Sequence, residues 1–150
     1  MRLTTMTDYA LRLLMYVAHR PERLCTIAEV ARAYGVSEAH LMKITHQLAL
    51  AGFIETVRGK GGGMRLAREP ALVNLGEVVR AMEPDFSLVE CFASDNSCVL
   101  TGHCRLAGAI SGALDAFLGH LDRYTLGDLI GSPPAAQPVT LTRKPAPASR

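Results

Sequence analysis

No window of the 150-residue chain approaches the run of about 18 apolar residues that a membrane-spanning helix requires. The opening Met1-Arg2-Leu3-Thr4-Thr5 also lacks the apolar stretch and small-residue cleavage site of a signal peptide, so a cytoplasmic location with no membrane partner is expected. A nucleotide-binding G-x-x-x-x-G-K-[ST] loop is missing, despite a glycine-rich run at 59–63. No cofactor motif or acid-base pair accompanies the cysteines, which leaves a small redox enzyme little support, and no catalytic residue is assigned. Only four cysteines occur, and without export the cytosol keeps thiols reduced, so disulfides are the weaker reading of them.

What is present is unevenly distributed. Residues 1–68 carry ten Lys/Arg against five Asp/Glu, whereas residues 69–130 carry three against nine, so a net charge of +2 conceals a basic end and an acidic one. The basic end is the candidate nucleic-acid face. Hydropathic period predicts a first helix ending near His19, capped by Thr5 or Thr7, with Leu11, Leu14, Met15 and Ala18 on one stripe. A second helix is expected over 26–34, with Glu29 at the capping-box position after Thr26. Gly35 breaks the chain, and Ser37 restarts it as an N-cap, with Leu41, Ile44, Leu48 and Ala51 inward until Gly52. Two short helices around a glycine turn form a helix-turn-helix pattern, whose second helix enters the major groove.

Residues 53–57 and 64–66 read as two strands joined by the basic, flexible tip Arg58-Gly59-Lys60-Gly61-Gly62-Gly63, which makes a wing. On the recognition helix, Ser37, Ala39, His40, Lys43 and Gln47 are candidate DNA contacts, while Arg58, Lys60 and Arg65 are candidate phosphate contacts on the wing. That helix has no arginine, so wing contacts and DNA shape should carry much of the affinity. His40 and His46 read as solvated or phosphate-contacting side chains rather than metal ligands.

Beyond Pro70, Leu75, Val78, Val79 and Met82 predict a short helix, and 84–103 reads as loop. Leu106, Ile110, Ala113, Phe117, Leu121 and Tyr124 then recur at helical spacing over 104–124, a helix about 30 Å long. Gly108 and Gly112 would admit a second helix closely, which predicts a two-fold homodimer through this arm. Thr125 and Asp128 frame a last short turn, and the proline-rich segment 131–150 is expected to be a disordered tail. The expected class is mainly α with a small β wing: a winged helix-turn-helix domain over 1–68, then a connecting helix, cysteine loop and dimerisation helix over 69–130.

Cys91, Cys98 and Cys104 stand in the loop with six and then five residues between them. Zinc sites prefer four ligands in closer pairs, whereas iron-sulfur sites tolerate wider thiolate spacing and leave one position for another ligand. Cys25, at the start of the second helix, reads as a partly buried small residue.

With its helix-turn-helix, the wing Val57-Arg58-Gly59-Lys60-Gly61-Gly62-Gly63 and the triplet Cys91, Cys98, Cys104 in that order, the chain resembles the iron-sulfur winged-helix regulators that include the IscR and NsrR groups, over residues 1–130. Val89-Glu90-Cys91-Phe92 and Tyr124-Thr125-Leu126-Gly127-Asp128-Leu129 resemble the nitric-oxide-sensing NsrR group. The resemblance implies a homodimeric transcriptional repressor on double-stranded operator DNA. It also implies an iron-sulfur cluster, [4Fe-4S] favoured over [2Fe-2S], held by the three cysteines and an aspartate of the partner subunit, and nitric oxide as signal. Asp8 stands at the matching position, with Arg12 one turn later as a side chain that could orient it. The alternative is an IscR-type redox or iron-status sensor. Its histidine three residues after the last cysteine is here Ala107, while His103 precedes Cys104 and could compete as a ligand.

Overall fold

The structure is a computed structural model that describes residues 2–100 and 102–131; the expected tail lies outside the described residues except for Gly131. Helix α1 (Thr5–Ala18) is followed by α2 (Ile27–Tyr34) and α3 (Glu38–Leu50), then by the antiparallel strands β1 (Ile54–Val57) and β2 (Gly63–Leu66). A 3-10 turn at Pro70–Leu72 leads into α4 (Leu75–Met82), a second at Glu90–Phe92 lies in the cysteine loop, and α5 (Arg105–Leu121) and α6 (Leu126–Ile130) complete the chain. The expected class, mainly α with a small β wing, is what the molecule shows.

Local chemistry explains the helix-turn-helix. Thr26 accepts the Glu29 amide, and Glu29 in turn accepts the Thr26 amide at 2.7 Å, so two orphan donors are satisfied at the start of α2. The helix ends at Gly35, whose φ of 65° is open to glycine at little cost. Ser37 then accepts the His40 amide at 3.3 Å and starts α3.

Helix α1 forms the floor on which α3, α4, α6 and β2 pack. Its buried apolar residues are Ala10, Leu13, Leu14, Val17 and Ala18, so the inward stripe is turned toward Leu13 and Val17, and Leu11 and Met15 are only half-buried. Its cap is Thr4 rather than Thr5 or Thr7; Thr7 is itself buried and lies beside the Thr4 hydroxyl. Leu41, Ile44 and Leu48 of α3 are buried as their spacing predicts, but Ala51 is exposed because α3 has ended by then. The core continues past the wing, with Val73, Val78, Met82 and Leu126 joining the same apolar cluster.

The wing sheet pairs Ile54 with Leu66, Glu55 with Arg65, Thr56 with Met64 and Val57 with Gly63. Cys25 extends it on the far side through a two-way bridge to Met64, and is fully buried rather than partly so. Burial pushes its thiol pKa up, which keeps it protonated and inert.

Helix α5 has 17 residues, about 25 Å at 1.5 Å per residue, and so is shorter than the expected 104–124. Only Leu118 is buried on it. Leu114, Phe117 and Leu121 are half-buried, whereas Leu106 is 64% exposed and Ala113 is also exposed. The end of α5 is tied down firmly: Arg80 grips Asp122 through two bonds of 2.6 and 2.7 Å, and Asn74 donates to the Asp122 carbonyl at 2.7 Å.

Candidate nucleic-acid interface and cysteine site

Because Leu41, Ile44 and Leu48 fix which side of α3 faces the core, the opposite side is committed to solvent. Ser37, Ala39, His40, Lys43 and Gln47 are all exposed on or beside it, as is His46. Ser37 restrains His40 twice, through the amide and through a 3.0 Å contact to Nδ1, so the imidazole is held at the helix start, where side chains meet base edges or phosphates.

At the wing tip, Gly59 and Gly61 have φ of 96° and 78°, which lets the chain turn with Arg58 and Lys60 outside it. Arg65 stands apart from that pair. It lies in the middle of β2, directly across from Glu55, and its guanidinium bonds the Glu55 carboxylate at 2.9 Å. That cross-strand pair offsets its charge, so Arg58 and Lys60 are the more available phosphate partners.

The cysteine loop is organised by Glu90. Its carboxylate accepts the Ser97 hydroxyl at 2.8 Å and the Ser97 amide at 3.2 Å; these bonds lower its pKa and close residues 90–97 into a small ring. Asn96 braces the ring by donating to the Ala93 carbonyl at 3.0 Å. Cys91 sits on the 3-10 turn within the ring, Cys98 directly follows it, and Cys104 is the N-cap of α5, where its side chain makes no capping bond.

All three thiols are free and half-buried. Cys91 and Cys104 line one cavity of about 410 Å³ together with His103, Arg105 and Ala107, while Cys98 is not on its wall. Among the described residues no three His, Cys, Asp or Glu side chains are already gathered at metal-binding distance. The donor chemistry nonetheless suits an iron-sulfur group: thiolates are soft ligands, and the three thiols are free, with no capping bond at Cys104, which lies at the positive end of the α5 dipole.

Asp8 lies in the first turn of α1 and is not on the cavity wall. Arg12 clasps it through Nε–Oδ1 and Nη2–Oδ2 contacts, each 2.9 Å. Both side chains are nearly half exposed, so the pair is screened by solvent and leaves Asp8 open to a stronger partner. Three further contacts escape sequence reasoning, since each joins residues without a shared period: Glu90 with Ser97, Arg80 with Asp122, and Glu83 with Thr4.

A recognition helix with a basic wing, joined to an apolar arm through a cysteine loop, defines a DNA-binding transcriptional regulator. The chain belongs to the Rrf2 family, whose model, described as an iron-dependent transcriptional regulator, matches residues 3–132. It is 48% identical over 132 residues to the HTH-type transcriptional regulator NsrR of Bacillus subtilis strain 168, covering 87% of this chain and 90% of that protein. Its identity to the regulator of the same name from Geobacillus kaustophilus is 51%, with the same coverage. Among solved structures, that of CymR (YrzC), the global cysteine regulator of B. subtilis, matches with a TM-score of 0.71 at 26% identity, over 87% of this chain and 96% of that one. The fold is also shared by T. potens IscR, with a TM-score of 0.70 at 24% identity over 87% and 86% of the two chains. The chain is thus a transcriptional regulator of the IscR/NsrR type, as the sequence resemblance implies.

Proposed function

We propose that this protein is a homodimeric, cytoplasmic repressor that binds operator DNA while an iron-sulfur cluster is in place, and that nitric oxide is the signal that lifts repression. Cys91, Cys98 and Cys104 would hold the cluster, [4Fe-4S] in preference to [2Fe-2S], with Asp8 of the partner subunit as fourth ligand and Arg12 orienting that carboxylate. The observation that carries the reading is the meeting of Cys91 and Cys104 on one cavity at the N-cap of α5, so that ligation there ties the loop to the arm. Iron so held would supply the reactivity toward nitric oxide.

The chain's own residues do the rest. Ser37 fixes His40 at the head of α3, where Ala39, Lys43 and Gln47 share the exposed face, while Arg58 and Lys60 neutralise phosphates and Arg65 stays paired with Glu55. The ring closed by Glu90 and Ser97 holds Cys91 and brings the chain back toward Cys98. Helix α5 connects this loop to α4 through the Arg80–Asp122 grip, so a displacement at Cys104 is delivered to the body that carries α3.

The test is an anaerobic spectrum with iron and sulfide analysis, repeated for Asp8→Ala, followed by nitric oxide titration read by operator mobility shift. Expected are three-cysteine-dependent iron and sulfide, a more labile cluster in Asp8→Ala, and operator release in step with bleaching. Unchanged cluster stability would remove Asp8 from the ligand set; bleaching without release would overturn the mechanism. His103 shares the cavity wall with Cys104, which favours, as second reading, a general redox or iron-status sensor of the IscR type. Release by peroxide in preference to nitric oxide would select it.

A further inference from the structure

We propose that Glu83 is a positioning residue that couples the cysteine loop to the DNA-reading helix through the first turn of α1; the inference rests on the regulatory reading above. Glu83 is the C-cap of α4, and Pro84 after it opens the segment that leads to Cys91. Its Oε1 accepts two hydrogen bonds from a residue 79 positions away: the Thr4 amide at 2.8 Å and the Thr4 hydroxyl at 3.2 Å. Bonds to an ionised acceptor are among the stronger ones, and a carboxylate beside a helix N-terminus is further favoured by the dipole.

Thr4 is the cap of α1. Its hydroxyl accepts the Thr7 amide at 3.3 Å and its carbonyl accepts the Asp8 amide at 3.1 Å, so whatever holds Thr4 also sets the first turn that carries Asp8. A crevice at this junction is lined by Thr4, Met6, Met82, Glu83 and Pro84, and by Gln47 of the recognition helix. One carboxylate therefore stands where the start of the cysteine loop, the Asp8 turn and α3 meet. A shift of Pro84 with the loop pulls on Thr4 through Glu83, and the α1 start faces Gln47 across this crevice while α1 packs on α3.

The experiment compares wild type with Glu83→Ala and Glu83→Gln, the latter keeping an acceptor oxygen for both Thr4 donors. Amide hydrogen exchange on the cluster-free protein is the first readout. In Glu83→Ala, faster exchange is expected both at residues 4–8 and at 43–50, with Glu83→Gln close to wild type. Loosening confined to 4–8 would mean an ordinary helix cap and would overturn the proposal, as would no change at all. The second readout is the ratio of operator affinities with and without bound iron, expected to fall about tenfold in Glu83→Ala and to recover in Glu83→Gln. An undiminished ratio would also overturn it. If wild type itself shows no iron dependence, the regulatory reading fails, and the exchange result on cluster-free protein still decides the coupling. Should Glu83→Ala fail to fold, Glu83→Asp, one methylene short of Thr4, takes its place with the same expected pattern.

Discussion

Replacing Gly63 by alanine should destabilise the whole domain, although the residue lies at the foot of a flexible tip. A Cβ there would stand 2.7 Å from the Cys25 carbonyl oxygen, 3.0 Å from the Leu24 Cβ and 3.2 Å from the Cys25 carbonyl carbon. Most of these are backbone atoms and cannot swing away, so β2 must separate from the Cys25 segment. The two bonds that join them, Cys25 N–H to the Met64 carbonyl at 2.9 Å and Met64 N–H to the Cys25 carbonyl at 2.8 Å, are then stretched or lost. Each contributes about 1 kcal/mol net. Met64 and Cys25, 1% and 0% exposed, lose packing as well, for a total of about 2 to 4 kcal/mol. Against a domain stability of about 5 to 15 kcal/mol this is a large fraction, equivalent to a Tm fall of about 5 to 15 °C. Gly61→Ala is the control. No atom lies within 4 Å of its Cβ position, and only its φ of 78° opposes the change, at about 1 kcal/mol and a few degrees. Calorimetric melts and urea titrations of both variants check the ordering; equal losses, or a Gly63→Ala loss under about 0.5 kcal/mol, would refute the steric reasoning.

The Glu29 carboxyl is held down to about 2, first by the Thr26 amide and then by Arg23. Because the folded value is depressed, its contribution is present above the ordinary carboxyl range and fades as pH falls from about 4.5 toward 2, so the urea-measured deficit of Glu29→Gln at pH 7 should shrink on acidification; a constant deficit would deny the charge any role. Lys60→Ala should leave stability within about 0.5 kcal/mol of wild type, yet reduce the salt dependence of operator binding by about one phosphate contact in anisotropy titrations. An unchanged slope would remove Lys60 from the interface. Gly76→Ala places a Cβ against the Asp122 carboxylate and 2.8 Å from Arg80 Nη1, both movable side-chain ends. The gain in helix propensity is about 1 kcal/mol and the solvent-screened ion pair can swing aside, so chemical denaturation should show a net change under about 1 kcal/mol; a loss above about 3 kcal/mol would mean that the grip is structural.

The features that could be read from the chain alone are those written within three or four residues. Thr26 with Glu29, Gly35, Ser37 and Thr125 with Asp128 all state a helix start or stop locally, and the structure follows each of them. The cap of α1 was illegible for the complementary reason. Thr4, Thr5 and Thr7 are chemically alike, and what distinguishes Thr4 is Glu83, supplied from the other side of the fold. Likewise Arg65 looks like a free wing cation until strand register sets Glu55 opposite it, and register depends on how many residues the glycine tip consumes. For the cysteines, spacing suggests a shared chemistry, but the placement of Cys91 and Cys98 follows from the Glu90–Ser97 ring, which has no periodic signature.

Helix α5 carries the same distinction between pattern and partner. Its apolar period is plain, yet small and apolar residues surround so much of it that the sequence could not say which side meets the body. Leu114, Phe117 and Leu118 take that role. Leu106 is left 64% exposed, and the Cβ positions of Gly108 and Gly112 meet nothing within 4 Å. Val99 and Leu100 in the preceding loop are exposed too, at 96% and 60%. Exposed large apolar side chains of this kind suit burial by a partner, and on a different side of α5 glycines at a spacing of four leave room for a second helix to lie close. A second copy related by a two-fold axis would cover α5 and the exposed side of the cysteine loop in one step. In the proposed homodimer, association and the shielding of the thiols would then be a single packing event. A Leu106→Glu variant should therefore sediment as monomer and expose Cys104 to faster alkylation, with both effects appearing together.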